Sequence, residues 1–273
     1  MTVPREKPIS TCRTPLFGLV APQLGWVPPL RFLLRRRRIL RLLSPISTGR
    51  LVEVGCGAGA LLVEFDAAGF EVVGVESSPR ALMVARRLAM AAGGKQQLLA
   101  EPGTDWQHSF DLLCAFDVLE HIENDSAALD EWISWLRPGG KVCLSVPAHQ
   151  HRWSEGDEWA GHYRRYSRGD LERMLGARGF RILHLECYGF PLANLTEFVG
   201  KRTYRKLLEH RSTDETREQA SAGSGVDHRS SMKMFRWLDT FPGRLALRAC
   251  FLSQAMFSRT DLGSGFLVLA EKQ

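Results

Sequence analysis

A chain of 273 residues, 44% hydrophobic and 24% charged, can bury a full core, so it is neither a disordered tail nor a small disulfide scaffold. A net charge of +6 favours anionic partners or surfaces, yet it does not imply nucleic acid, because many basic enzymes carry only a solvated positive face. Six scattered cysteines (Cys12, Cys56, Cys114, Cys143, Cys187, Cys250), with no CxxC pair and no Cys/His ligand spacing, point to a reducing cytoplasm and to no metal site.

The first 29 residues hold no continuous apolar run of the kind that marks a signal peptide, and no stretch approaches a membrane span. Next comes Leu30–Leu43, where Phe32, Leu33, Ile39, Leu40 and Leu43 recur at helical spacing beside Arg35-Arg36-Arg37-Arg38. That arginine run reads either as a solvated helix face or as a peripheral contact with an anionic membrane. From Leu51 onward, short apolar runs alternate with helical segments. Strands are predicted at Leu51–Gly55, Glu71–Val75, Gln97–Ala100, Phe110–Phe116, Lys141–Val146, Phe180–Glu186 and Phe266–Glu271. Helices are predicted at Ala58–Ala68, Pro79–Ala92, Ser126–Leu136 and Arg168–Ala177, with Pro138-Gly139-Gly140 separating the third from the strand that follows. This alternation implies an α/β fold with a parallel or mostly parallel sheet and helices on both faces. Residues 190–262 interrupt it. There, apolar helical stretches at Leu192–Leu208 and Met232–Phe257 flank the polar Ser212–Ser231, which reads as a mobile linker.

Leu51 to Ala60, reading LVEVGCGAGA, carries the functional argument. A buried strand ends in a turn whose glycines lack side chains, and the next helix offers unpaired N–H groups, so a ligand can rest on bare main chain at the sheet's C-terminal edge. Glu76 stands 21 residues after Gly55, at the end of the next strand, where a carboxylate can accept both ribose hydroxyls. The turn alone also fits a dinucleotide fingerprint or a purely structural bend. Glu53 argues against a pyrophosphate, because negative charge two residues before the first glycine repels one. The same charge suits a ligand carrying a sulfonium and an ammonium.

At this point the residues resemble a known family, the class I S-adenosylmethionine-dependent methyltransferases. Leu51–Gly59 is similar to their first motif, and Val75-Glu76 to the acidic end of their second strand. Phe110–Ile122 (FDLLCAFDVLEHI) is similar to the fourth-strand motif of the small-molecule and quinone-biosynthesis branch, and Leu136–Pro147 to its following turn and fifth strand. The four motifs keep the family's order and cover roughly residues 50–186. The resemblance implies a Rossmann-like, doubly wound, seven-stranded, mostly parallel sheet with a helical insertion before the last strand. It implies S-adenosyl-L-methionine as cofactor and S-adenosyl-L-homocysteine as product. It further implies that Glu53, Gly55, Cys56, Gly57 and Gly59 surround the methionine part, that Glu76 and Ser77 hold the ribose, and that Asp117 and Val118 lie near the amino group. The usual Gly-Asp pattern after the third strand is missing, which leaves Glu101, Asp105 and Trp106 as adenine candidates.

The segment Trp153–Ser167 resembles a loop found in a subset of these enzymes, placed where that fold positions acceptor-binding residues. His162 and Tyr163 either close this loop onto the domain or touch the acceptor, and the Arg164-Arg165 pair is either solvated or bonded to Asp157 and Glu158. Methyl transfer needs a general base only for a hydroxyl, an acidic carbon or a protonated amine. His151, His162, Tyr163 and His121 are the candidates. Trp153, Arg165 and Tyr166 are candidate acceptor contacts, joined by Phe235 and Trp237 from the insertion, whose Met and aromatic side chains either pack together or line an apolar pocket. No Asn/Asp-Pro-Pro-Tyr/Phe motif follows the fourth strand and no nucleic-acid module is visible, so a small or lipid-like acceptor is expected. An NAD(P)-dependent oxidoreductase, or a protein that binds S-adenosylmethionine without transferring methyl, remains the alternative. The expected layout is a helical extension at 1–50, a cofactor-binding core at 51–189, an insertion at 190–262 and a final strand at 263–273.

Overall fold

Successive side chains on a strand point to opposite faces, so strands apolar at every position must be covered on both sides. A computed structural model, describing residues 11–46, 48–210, 217 and 231–273, shows what covers each face. Seven strands form one sheet: β3 (Gly49–Val54), β4 (Phe70–Val75), β5 (Gln97–Leu99), β6 (Phe110–Phe116), β7 (Leu136–Pro147), β8 (Phe180–Tyr188) and β9 (Gly265–Lys272), in the order β5-β4-β3-β6-β7-β9-β8. Only β9 runs antiparallel to its neighbours. On one face, Val52, Leu113, Leu144 and Val268 pack with α4 (Asp125–Ser134) and α6 (Arg168–Gly176). On the other, Leu51, Leu112, Cys143 and Leu267 pack with α1 (Leu30–Leu43) and α2 (Ala60–Ala67). Helix α3 (Pro79–Ala91) lies against α2.

Register sets the functional edge. Val54 pairs with Val75 on one side and Ala115 on the other. The tips of β3, β4 and β6 are therefore level, and Gly55, Glu76 and Asp117 emerge together.

Four features depart from the sequence reading. A two-stranded hairpin, β1 (Cys12–Thr14) with β2 (Gly18–Val20), precedes α1. Its Leu19 carbonyl accepts the Trp26 indole N–H at 3.0 Å. Pro138-Gly139-Gly140 does not separate helix from strand: Leu136 already pairs with Phe110, and the register jumps to Leu112 with Lys141, so the intervening residues bulge out. A short helix, α5 (Glu155–Ala160), forms in the loop after β7. The stretch expected as Met232–Phe257 is two helices, α8 (Ser231–Leu238) and α9 (Phe241–Phe257). Thr240 caps α9, its hydroxyl accepting from Gly243 N–H at 3.2 Å, and Pro242 in the first turn cannot continue the helix before it. With α7 (Leu192–Glu209), these helices form the insertion, and the linker expected at Ser212–Ser231 lies almost wholly outside the described residues.

Three of the four arginines in the α1 run are paired with carboxylates. Arg36 is buried and forms a two-point pair with buried Glu64 of α2, one bond at 2.6 Å. Arg38 makes a two-point pair with Glu186 of β8, and Arg35 pairs with Asp117. Arg37 lies over the Phe251 ring at 5.9 Å. One turn earlier, Arg31 reaches Glu197 of α7 at 3.3 Å. Arg35, Arg36 and Arg38 are thus directed inward, and Arg37 alone of the run is exposed. Ile39 and Leu43 join the core of Leu51 and Leu112, so the helix of segment 1–50 is part of the sheet's packing.

Removing one partner of a buried ion pair strands the other charge, which costs more than the pair contributes. We expect Arg36→Ala to lower stability in urea denaturation by about 3 kcal/mol, and Arg36→Met with Glu64→Leu to recover most of that loss.

Candidate active site

The turn after β3 places Gly55, Gly57 and Gly59 all at positive φ (64°, 57° and 70°), a region L side chains seldom enter. At Gly55 a Cβ would lie 2.6 Å from Val118 Cγ2, so this glycine admits the β6 tip. At Gly57 a Cβ would meet nothing within 4 Å. The main chain there borders open space, the shape a ligand lying on the backbone needs. Cys56 is buried, its N–H bonded to the Val75 carbonyl at 3.1 Å and its thiol pKa pushed up by burial. It ties the turn to β4, and burial disfavours its thiolate.

Glu76 ends β4 with its carboxylate accepting Gly57 N–H and Ser78 N–H, both at 2.8 Å. Each oxygen keeps a lone pair for a hydroxyl. Ser77 is exposed, whereas Ser78 is buried and caps α3. Glu53 is 4% exposed, and its Oε2 has no partner. Burial pushes its pKa up to about 8; Arg35 opposes the rise and Glu76 adds to it. Asp117 sits at φ 56°, held by Ser145, whose carbonyl accepts Asp117 N–H at 2.8 Å and whose hydroxyl donates to Oδ1 at 2.9 Å. Burial would raise the Asp117 pKa, but Arg35 and Arg31 outweigh it and lower it. A buried acid, an ionised acid and one guanidinium thus surround the space beside the bare turn.

Of the adenine candidates, Glu101 and Asp105 are exposed just beyond β5. Trp106 is buried edge-on to Phe110 and Trp135, with ring centres 5.0 and 5.1 Å away, and belongs to the core.

The loop after β7 folds back on the β6 tip. Tyr163 N–H donates to the Glu120 carbonyl at 2.7 Å, and the His121 and His162 rings meet edge-on at 4.6 Å. Asp157 organises the loop. It accepts Ser154 N–H at 2.9 Å, binds Arg165 at two points of 2.8 Å each, and faces His162 Nδ1 at 2.9 Å. Burial would raise the Asp157 pKa, but His162 and Arg165 hold it far below the usual carboxylate range. His121 is lowered to about 4, chiefly by burial and then by His162.

The structure therefore brings Glu53, the glycine turn, Glu76, Asp117, Val118, His121 and His162 to one edge. Others are placed elsewhere. Arg165 is buried against Asp157, and Tyr166 is buried with its hydroxyl donating to Asp125 at 2.7 Å, so both brace the loop rather than face an acceptor. His151 is exposed and stacks on His149, centres 5.3 Å apart. Trp153 stands half-buried beside Glu158. Tyr163 engages the site through its backbone. Phe235 is buried edge-on to Phe17 at 5.2 Å, whereas Trp237 is 54% exposed, so the two do not form one pocket wall. Sequence reasoning missed Arg35, Arg31 and Tyr188, a fully buried tyrosine whose hydroxyl has no partner. Arg31 and Arg35 one turn apart was the only available signal.

Residues 30–185, more than half of the chain, match a family model described as a methyltransferase domain. The ubiquinone biosynthesis O-methyltransferase of Nitrobacter winogradskyi is 27% identical over 163 residues, covering 50% of this chain and 62% of that protein. The same enzyme of Bordetella avium is 27% identical over 136 residues, covering 48% of this chain and 52% of that one. The match thus spans less than two thirds of either relative. Among solved structures, phosphoethanolamine N-methyltransferase 2 of Haemonchus contortus, in complex with S-adenosyl-L-methionine, superposes with a TM-score of 0.54 at 19% identity, over 90% of this chain and 54% of that one. That likeness shows the same fold.

A carboxyl titrating near 8 when folded and near 4.5 when free keeps its proton after the unfolded chain has lost it. The protein should therefore lose stability as pH rises between those values. Relative to Glu53→Gln, the parent should lose on the order of 5 kcal/mol across this window in urea denaturation at stepped pH.

Proposed function

Because the chain belongs to the methyltransferase domain family, we propose that it transfers a methyl group from S-adenosylmethionine to a small acceptor of apolar or natural-product-like character. The observation that carries this reading is the buried Glu53 carboxyl, one oxygen of it unpartnered, beside the bare Gly57 backbone, with Asp117 and Arg35 completing the charge set. An amino-acid zwitterion fits that set: its ammonium between Glu53 and Asp117, its carboxylate toward Arg35. Glu76 accepts two ribose hydroxyls while the Gly57 and Ser78 N–H groups hold it in place. A dinucleotide is disfavoured, since its pyrophosphate would leave the buried Glu53 without a cation.

When bound, the cofactor supplies a methyl on a positively charged sulfur, already activated toward attack. The chain's own residues must then orient the two partners and keep water away. The name of the curated relatives, ubiquinone biosynthesis O-methyltransferase, supports an oxygen acceptor. A hydroxyl must lose its proton for attack, and the His121–His162 pair stands beside the β6 tip where such a group would lie. We place the activity in the cytoplasm, in keeping with six cysteines that are all unpaired. Among the described residues, no helix is long and apolar enough to cross a membrane.

Calorimetry with S-adenosylmethionine, S-adenosylhomocysteine and NAD tests the cofactor. The first two should bind and NAD should not. Glu76→Ala should weaken both by tenfold or more, about 1.4 kcal/mol, with an unchanged far-UV spectrum. Binding of NAD alone would favour the oxidoreductase instead. Methyl-labelled cofactor offered with phenolic and quinol acceptors then shows whether label is transferred.

A further inference from the structure

Glu120 is 0% exposed, and neither of its carboxylate oxygens has a hydrogen-bond partner. Beside it, His121 Nδ1 also lacks one. His162 belongs to the loop after β7 and is drawn in by the Tyr163 N–H bond to the Glu120 carbonyl. One donor atom from each of the three residues lies within 4.8 Å of the other two. A buried carboxylate costs free energy unless it meets a charge or hydrogen bonds, and among the described residues neither oxygen of this one has a hydrogen-bond partner.

The surroundings of His162 add a second, independent sign. Its Nδ1 faces Asp157 Oδ1 at 2.9 Å, so Nε2 is left with the lone pair. Asp157 is in turn fixed by the two-point bond from Arg165. A carboxylate behind a histidine is the outer arrangement that fixes the tautomer and ring orientation of metal-bound imidazoles. We propose that Glu120, His121 and His162 bind one divalent transition-metal ion, with coordination positions left open beyond these three ligands. Two imidazoles and one carboxylate suit zinc, iron or cobalt, whereas magnesium and calcium prefer all-oxygen sets.

The sequence pointed to no metal because its test was cysteine and histidine spacing. These ligands come from a single turn after β6 and from a loop about forty residues later, and only the fold joins them. The role of the ion, though not its site, rests on the methyltransferase reading. With the ion bound, both imidazoles serve as ligands rather than as proton acceptors. An acceptor hydroxyl at an open position would ionise more readily, its proton passing to water. Its oxygen would bond to the methyl carbon as the C–S bond breaks and the sulfur leaves as the thioether of S-adenosylhomocysteine.

The full chain, freed of metal with a chelator, is titrated with Co2+ by visible absorption and with Zn2+ by calorimetry. One ion per chain should bind, and His162→Ala and Glu120→Gln should each weaken it by tenfold or more. Should Glu120→Gln fail to fold, His162→Ala, altering a partly buried loop residue, carries the test. Absence of saturable uptake by the parent, or equal uptake by His162→Ala, overturns the site. S-adenosylmethionine binding, measured on the same samples, should survive His162→Ala. If the parent takes up metal but does not bind S-adenosylmethionine, the site stands and the methyltransferase reading falls.

Discussion

Glu53 is a carboxyl that the strand pattern forces into the interior. Its neighbours Val52 and Val54 serve the sheet, and the register that levels β3 with β4 and β6 leaves Glu53 under the bare turn, 4% exposed, with one oxygen unpartnered. Burial, with the Glu76 charge adding to it against Arg35, keeps it protonated toward pH 8. A group in that state destabilises the empty fold and favours a cation brought from outside. The glycine turn, the ionised Asp117 and the arginine between them make sense as the surroundings of that one acid. Without it, the same turn would serve a phosphate equally well.

Helix α1 supplies the counter-charge and so belongs to the site. Arg31 and Arg35 share one face; the first reaches Glu197 on α7, the second Asp117. Arg36, on another face, locks to Glu64 of α2, the helix that follows the glycine turn. Glu197 also accepts from Arg152 at 2.9 Å and lies 3.8 Å from Arg165, so the insertion, the loop after β7 and α1 meet at a single carboxylate. Arg31 of α1 is therefore joined through one carboxylate to the loop that holds His162.

What was legible in the sequence follows from what is local. The sheet could be read because Leu51, Val52, Leu112 and Leu113 alternate between two apolar faces. The glycine turn could be read because positive φ and a bare backbone demand glycine. Ion-pair partners could not. Arg36 meets Glu64 across 28 positions and Arg38 meets Glu186 across 148, and nothing local announces either. The same limit explains why Tyr166, Arg165 and Phe235 read as acceptor contacts: an aromatic or charged side chain looks alike in a string whether it meets a ligand, an Asp125 carboxylate or a Phe17 ring. Pro138-Gly139-Gly140 misled for another reason. Turn chemistry signals a change of direction, and a strand can absorb one as a bulge without ending.

The central claim is that the buried Glu53 carboxyl awaits a cation, and proton linkage addresses it most directly. Calorimetry of S-adenosylmethionine binding at pH 7, in buffers of differing ionisation enthalpy, should show release of close to one proton, as the incoming ammonium draws Glu53 to its ionised form. Glu53→Gln should abolish that release and weaken binding. If no proton is exchanged and Glu53→Gln binds as tightly as the parent, the charge set described here is not what recognises the ligand.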